Sequence, residues 1–194
     1  DQALGAQPLA ALEALVAPYV ARRSDALVAE AGAALAAGDA SGARATLARA
    51  LADDPQNWRI HPVLAALLID AGELDQAQEV LRALPANEQT EASEREAGRL
   101  HFARIVAAAP PLADLEAALA AGRADSASRY QWAIRKLMAG DHEPALAALI
   151  DLVRSDRRYG EDAARKATLE AFRLLGDDHP LVRQYRTQLA RALH

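Results

Sequence analysis

The histidines are the first side chains of this sequence to consider for metal binding or acid–base chemistry. The chain has five of them, which are His61, His101, His142, His179 and His194. No two stand four residues apart on one predicted helix, and the zinc-binding pattern His-Glu-x-x-His is absent. His142 and His179 fall at predicted turns, where solvation or helix capping explains them. The sequence therefore predicts no metal site.

The carboxylates are the other candidates for catalysis, and most of them cluster at the ends of predicted helices. These clusters are Asp53-Asp54, Glu91 with Glu94 and Glu96, Glu161-Asp162 and Asp177-Asp178. Capping and the helix dipole explain acidic residues at such places. A hydrolase that uses a carboxylate pair would need a buried environment, which the sequence does not indicate. Because the chain also lacks cysteine and any glycine-rich phosphate loop, we expect no enzyme and no cofactor.

The composition favours an all-α fold. Of the 194 residues 50 are alanine, only 4% are aromatic, and the formal net charge is -5. Alanine is the best helix former and buries little area, so we expect slim helices that pack closely. The weak acidity disfavours nucleic-acid binding, and no apolar run reaches the roughly 18 residues of a membrane span. The first residues show no signal-peptide pattern, and we expect a chain that binds neither nucleic acid nor membrane.

A repeat of 34 residues organises the chain. In each of three copies a glycine ends a helical stretch, an alanine follows five residues later, and a leucine follows four residues after that. These in-phase residues are Gly38, Ala43, Leu47, Gly72, Ala77, Leu81, Gly140, Ala145 and Leu149. Two antiparallel helices per repeat explain the spacing, because glycine ends the first helix and the small alanine lets the second approach closely.

The repeat phase also predicts the helices. Pro55 stops one helix and starts the next repeat, and Asp39 and Asp141 are plausible caps or first-turn acids. Near Val106 the glycine is missing and Pro110-Pro111 replaces the turn, so this copy is degenerate. We predict helices near 8–20, 24–37, 40–52, 59–71, 74–84, 89–108, 112–121, 126–139, 142–155, 161–175 and 180–193.

The glycine, alanine, large apolar and proline positions resemble the tetratricopeptide repeat, specifically over residues 24–85 and 126–157. The resemblance implies a right-handed array of antiparallel helix pairs with about 10–11 helices. It implies repeats near 24–57, 58–91, 92–125 (degenerate) and 126–159, followed by a C-terminal helix pair at 160–194. The clamp with which some members bind acidic C-terminal tails is absent, because its places hold Val28, Gly32, Val63 and Ala66.

The last forty residues resemble the C-terminal domain of the bacterial chaperedoxins, in which a tetratricopeptide-like domain follows a thioredoxin fold. Tyr185-Arg186 and three segments carry the likeness: LVRSDRRY at 152–159, DAARKA at 162–167 and FRLLGDD at 172–178. The residues Gly5-Ala-Gln-Pro8 and the helix after them are similar to the end of a thioredoxin domain. We therefore expect residues 1–22 to be a remnant of that fold with a linker, and residues 24–194 to be the tetratricopeptide-like domain.

The resemblance implies a cytoplasmic holdase that binds unfolding client proteins and hands them to the chaperonin. In chaperedoxins the C-terminal helix docks the chaperonin. Carried over to this sequence, the candidate contacts are Tyr185, Arg186, Leu189 and Leu193. The redox chemistry of a thioredoxin domain would have no cysteine to use within this chain.

Other interpretations of these features remain open. A terminal helix in a repeat array commonly caps the last hydrophobic face, so Tyr185 could pack on Phe172 rather than dock a partner. The array could instead be a general scaffold that joins folded proteins through its concave face. An apolar stripe near the N-terminus could fold back on the repeats or pair two chains as a homodimer. This stripe consists of Leu9, Leu12, Leu15 and Val16.

Overall fold

The computed structural model describes residues 22–193, and this part of the chain is helical without any strand. Its ten α-helices are α1 (Arg23–Ala36), α2 (Ala40–Asp53), α3 (Ile60–Asp70), α4 (Leu74–Arg82), α5 (Glu91–Ala108), α6 (Leu112–Ala120), α7 (Ser126–Met138), α8 (His142–Ser155), α9 (Ala163–Leu175) and α10 (Pro180–Leu193). A short 3₁₀ helix spans Ala86–Glu88. Each end lies within two residues of its predicted place, which confirms the all-α fold. The helix predicted at 8–20 and the stripe on it lie outside the described residues.

The chain divides after Leu67 into two compact units. The first unit has a small aliphatic core that joins α1, α2 and α3. Its buried members are Ala31, Ala43, Leu47, Ala50, Ile60 and Leu67. The second unit has a larger core that draws on α5 and on α7 to α10. Residues with no exposed surface at its centre include Phe102, Ile134, Leu146, Leu149 and Val182. The predicted domain boundary near residue 23 stays a prediction.

Glycine turns connect several of the helices. Gly38, Gly72 and Gly140 have φ values of 82°, 76° and 88°, which side chains with a Cβ rarely adopt. After α1 the Gly38 N–H donates to the Leu35 carbonyl, and the next N–H donates to the carbonyl five residues back. The carbonyls at the end of the helix are thereby satisfied. Gly122 makes the same turn between α6 and α7, outside the 34-residue phase.

The alanine of each repeat lies at a close helix contact. Ala43, Ala77 and Ala145 have no exposed surface. Of the leucines four residues later, Leu47 and Leu149 are also fully buried, whereas Leu81 is partly exposed. Pro55 is exposed in the turn before α3. Two repeats therefore enclose their leucine completely, and one does not.

The two aspartates at repeat turns behave differently. Asp39 caps α2, because its Oδ1 accepts a hydrogen bond of 2.8 Å from the Gly42 N–H. Asp141 occupies the corresponding position before α8, but its side chain makes no capping bond there. Its Oδ2 lies 3.2 Å from the Lys136 ammonium, so it forms an ion pair across the turn instead.

In the degenerate repeat, which lacks the glycine turn, a side chain from another helix caps the end of α5. Helix α5 continues for 18 residues and ends before Pro110-Pro111. Arg135 on α7 donates from Nη2 to the carbonyls of Val106 at 3.0 Å and Ala109 at 2.8 Å. In a glycine turn, backbone N–H groups donate to the last carbonyls of the helix. At the end of α5 the guanidinium donates to these carbonyls instead.

Replacing Arg135 with Met is expected to lower the free energy of unfolding of the second unit by about 1–3 kcal/mol, because it leaves partly buried carbonyls without their donor. Urea titration followed by circular dichroism measures the change. Arg129→Met on the exposed side of the same helix is the matched control and should change stability by less than about 0.5 kcal/mol. Equal effects of the two substitutions would contradict the capping role.

Candidate functional site: the C-terminal helix

Helix α10 carries the predicted docking residues, and its apolar side faces the core of the second unit. Val182, Tyr185 and Leu189 are at most 5% exposed and belong to the buried cluster formed with α8 and α9. The helix runs parallel to α8. The Tyr185 hydroxyl donates to the Glu143 carbonyl at 3.3 Å near the start of α8, and Arg157 just after α8 donates to the Leu193 carbonyl at 3.2 Å.

The four predicted residues do not share one surface. Burial raises the pKa of Tyr185, and the charges of Glu143 and Asp151 raise it further, so its phenol stays neutral at physiological pH. Leu189 is buried beside it, whereas Arg186 is exposed and Leu193 is partly buried at the end of the helix. Of the four, only Arg186 and Leu193 therefore offer surface to a partner in this conformation.

Arg186 has intramolecular contacts of its own. Its guanidinium pairs with the Asp177 carboxylate and lies 5.8 Å from the centroid of the Phe172 ring. Both members of the ion pair are at least half exposed, so the pair contributes little to stability and can be exchanged for a partner's carboxylate. Most of the rest of the exposed side of α10 is polar or small. Its residues are Pro180, Arg183, Gln184, Thr187, Ala190 and Arg191.

Sequence reasoning missed a hydrogen bond that recurs between helix ends. The Ser24 hydroxyl donates to Asp54 Oδ2 at 3.1 Å, and the Ser126 hydroxyl donates to Asp156 Oδ2 at 2.6 Å. Each bond joins the start of the first helix of a repeat to the residue that ends its second helix. Both pairs span 30 residues, and they lie 102 residues apart, which is three repeat lengths. Self-comparison of the sequence could have found this signal.

The first unit extends this bond into a polar network. Asn57, which is 1% exposed, donates from Nδ2 to the Ser24 hydroxyl and to Asp25 Oδ1, both at 2.8 Å. Arg59 pairs with Asp25 at 2.6 Å. Burial alone raises the pKa of Asp25, but hydrogen bonds from the Arg22 N–H and Asn57 and the charge of Arg59 outweigh burial and lower it. The network therefore ties α1, the end of α2 and the start of α3 together.

In the second unit an aromatic pair takes the place of the buried asparagine. Tyr159 stands three repeat lengths after Asn57, and its ring centroid lies 5.6 Å from that of Tyr130. Burial raises the pKa of Tyr130 to about 12, with a further contribution from Tyr159, so this phenol is neutral. The same junction is thus polar in one repeat and aromatic in the other.

The histidines form no metal centre in the described part of the chain. The ring centroids of His142 and His179 lie 6.1 Å apart. Within residues 22–193, however, no three His, Asp or Glu side chains lie close enough together to hold a metal ion. His61 is 7% exposed, and its Nδ1 has no hydrogen-bond partner among residues 22–193. Burial lowers the pKa of His61, although a hydrogen bond with the Trp58 backbone opposes this effect.

One carboxylate combines burial with a raised pKa. Burial raises the pKa of Glu96, and the charge of Arg99 partly counteracts it. Arg99 lies 2.8 Å from Glu96 and 2.6 Å from Asp70, so it bridges the two acids. Such a bridged arrangement is typical of a structural ion pair on a helix surface.

None of the described helices is long and apolar enough to cross a membrane.

Comparison with known families identifies the class of this fold. Two family models, both described as Tetratricopeptide repeat, match residues 34–97 and residues 105–194. Together with the helices described above, these matches show a tetratricopeptide-like helical array. Tetratricopeptide domains are typically non-catalytic scaffolds that mediate protein–protein interactions.

The crystal structure of a domain of a Vibrio parahaemolyticus protein of unknown function is similar over 88% of this chain and 99% of that domain, with 20% sequence identity and a TM-score of 0.40. Among curated proteins no significant match is found.

The burial of Leu189 leads to a test of how α10 is held. Leu189→Ala is expected to lower the free energy of unfolding by about 2–4 kcal/mol, because it opens a cavity in the core. Leu193→Ala, at the partly exposed end of the same helix, should cost about 1 kcal/mol or less. Urea titrations of both variants measure the difference. Similar small losses would show that Leu189 is not held in the core and is free to contact a partner.

The lowered pKa of His61 predicts that the stability of the first unit depends on pH. The pKa of this histidine is lowered in the folded state, so below its ordinary value of about 6.5 the unfolded state binds more protons. We expect the stability of the unit to fall as the pH drops from about 7.5 to about 5. Fluorescence of Trp58, whose ring centroid lies 5.1 Å from that of His61, can follow unfolding in a Trp132→Phe background.

The control for this pH dependence is a second histidine substitution. His61→Gln should flatten the decline in stability, whereas His101→Gln, at an exposed position, should leave it unchanged. A decline that survives His61→Gln at full size would assign it to other groups.

Proposed function

We propose that this chain is the protein-interaction domain of a chaperedoxin-like co-chaperone that holds unfolding clients and passes them to the chaperonin. The single observation that carries the proposal is the resemblance of the C-terminal segment, including Tyr185-Arg186, to the corresponding domain of chaperedoxins. The tetratricopeptide matches support it, because that domain is built from such repeats. The domain acts without cofactor or catalysis, and its place of action is the cytoplasm.

In this proposal residues 1–22 correspond to the end of a thioredoxin fold and its linker, and residues 24–194 form the tetratricopeptide-like domain. Docking to the chaperonin uses the exposed side of α10. Because Tyr185 and Leu189 are buried, they act by holding the helix in place, whereas Arg186 and Leu193 make the contact.

The second candidate function is a general scaffold that joins other folded proteins. The burial of Val182, Tyr185 and Leu189 favours it, because a terminal helix with this pattern also serves to cap a repeat array. A stoichiometric partner other than the chaperonin, recovered from cells at high salt, would support this alternative.

The test is binding of the full chain to purified bacterial chaperonin, measured by biolayer interferometry. Wild type is expected to bind, and the double substitution Arg186→Ala/Leu193→Ala is expected to weaken binding about tenfold, which corresponds to about 1.4 kcal/mol. Deleting α10 is a poorer test, since its removal would expose the core of the second unit.

Helix α9 offers a matched control of the same chemistry. Arg173→Ala/Leu169→Ala also removes an exposed arginine in an ion pair and a leucine with accessible surface, but from a different helix. It should bind like wild type. Failure of wild type to bind would contradict the co-chaperone role, and equal loss in both double variants would contradict docking through α10.

A further inference from the structure

A groove in the second unit lies between α4 and α5, away from the buried face of α10. Its volume is about 480 Å³, within the range of sites that bind ligands. Three leucines form its apolar part: Leu81 from α4, Leu84 from the segment after it, and Leu100 from α5. Leu84 and Leu100 are 7% exposed, and none of the three belongs to either of the two core clusters.

The groove exists because Leu81 lacks the cover that its counterpart in the first repeat has. Leu47 is fully buried in a cluster with Ile60 and Leu67 of the following helix. The position 34 residues after Leu47 also holds a leucine, Leu81. The positions 34 residues after Ile60 and Leu67 hold Glu94 and His101. The two apolar residues that enclose Leu47 are therefore replaced by polar ones, and Leu81 is left partly exposed.

The charged side chains that line the groove are all basic. Arg82 comes from α4 and Arg104 from α5, and His101 stands beside them, whereas no carboxylate is among the lining residues that the structure describes. Gln89 and the side-chain N–H groups of Gln78 can bond a peptide backbone, whereas Gln78 Oε1 already accepts a hydrogen bond from Arg104 at 2.7 Å. The lining thus combines an apolar floor with positive charge.

The present partners of the two arginines can be exchanged. Arg82 lies 3.1 Å from Glu79, and Arg104 lies 2.7 Å from Asp75. The acids are 73% and 94% exposed, respectively, and ion pairs in such surroundings contribute little to stability. An incoming carboxylate that is held in place by apolar contacts can therefore replace them.

We propose that this groove binds an extended internal segment of another protein, in which a large apolar side chain stands next to Asp or Glu. The apolar side chain contacts the leucines, and the carboxylate pairs with Arg82 or Arg104. Helix α4 has 9 residues and is about 13 Å long, which matches about four residues of an extended chain. The inference rests on the proposed protein-binding function, but it does not depend on the chaperonin.

Fluorescence polarisation of the full chain with three labelled, amidated peptides tests the specificity. The probe is Gly-Ser-Glu-Leu-Asp-Leu-Glu-Ser-Gly. One comparator replaces both leucines by alanine, and the other replaces the acids by Gln and Asn. The probe is expected to bind at least about tenfold more tightly than either comparator at near-physiological salt. Binding of the probe no tighter than that of the comparators would overturn the proposal.

Two substitutions locate the site. Arg82→Glu and Leu81→Gln are each expected to weaken probe binding about tenfold, with circular dichroism confirming that the variants fold. Arg154→Glu is the matched control, because Arg154 also forms an exposed ion pair with an acid three residues before it. Equal weakening by Arg82→Glu and Arg154→Glu would show charge attraction without a site and would overturn the assignment.

The peptide measurement contains no chaperonin, so its outcome is separate from that of the docking test. Peptide binding without chaperonin binding would support the groove and leave the chain a scaffold. Chaperonin binding without any preference among the peptides would support the co-chaperone role and overturn the groove.

Discussion

The close approach of paired helices at an alanine is the constraint on which the rest of this structure depends. Ala43 and Ala145 have no exposed surface, and a side chain of this size lets two helices approach near the lower limit of ordinary helix packing. The gap beside each crossing has to be filled, and Leu47 and Leu149 fill it completely. The 34-residue period follows, because each helix pair presents the next pair with the same surface to cover.

Features that depend on residues close together in the chain could be predicted from the sequence. The helices and the glycine turns are of this kind, because a left-handed glycine and the two hydrogen bonds around it involve one short segment. The contacts of Arg135 with Val106 and Ala109 could not be predicted in the same way. They join residues 26 to 29 positions apart, and any exposed arginine on α7 would look the same in the sequence.

In the candidate site too, the local pattern could be predicted from the sequence, whereas the contacts with distant residues could not. The spacing of Tyr185, Leu189 and Leu193 correctly indicates one apolar side of a helix, but an apolar side that packs inward and one that docks a partner have the same pattern. The structure distinguishes them residue by residue, since Tyr185 and Leu189 are buried while Leu193 is only partly buried. Burial depends on what α8 and α9 place against the helix, and the sequence of α10 does not contain that information.

The groove beside Leu81 could be predicted in part from the sequence, by comparing the residues at equivalent repeat positions as well as their spacing. Matching the repeat positions identifies Leu81 as a core residue, yet the same alignment places His101 where Leu67 covers the equivalent leucine. A repeat array loses stability when a covering side chain becomes polar, because apolar surface stays in contact with water. Arg82 and Arg104 line the groove beside this leucine, so positive charge lies next to the uncovered apolar surface. A partly exposed leucine next to basic groups is suited to a ligand that is apolar and acidic at once, which connects the irregular repeat to recognition.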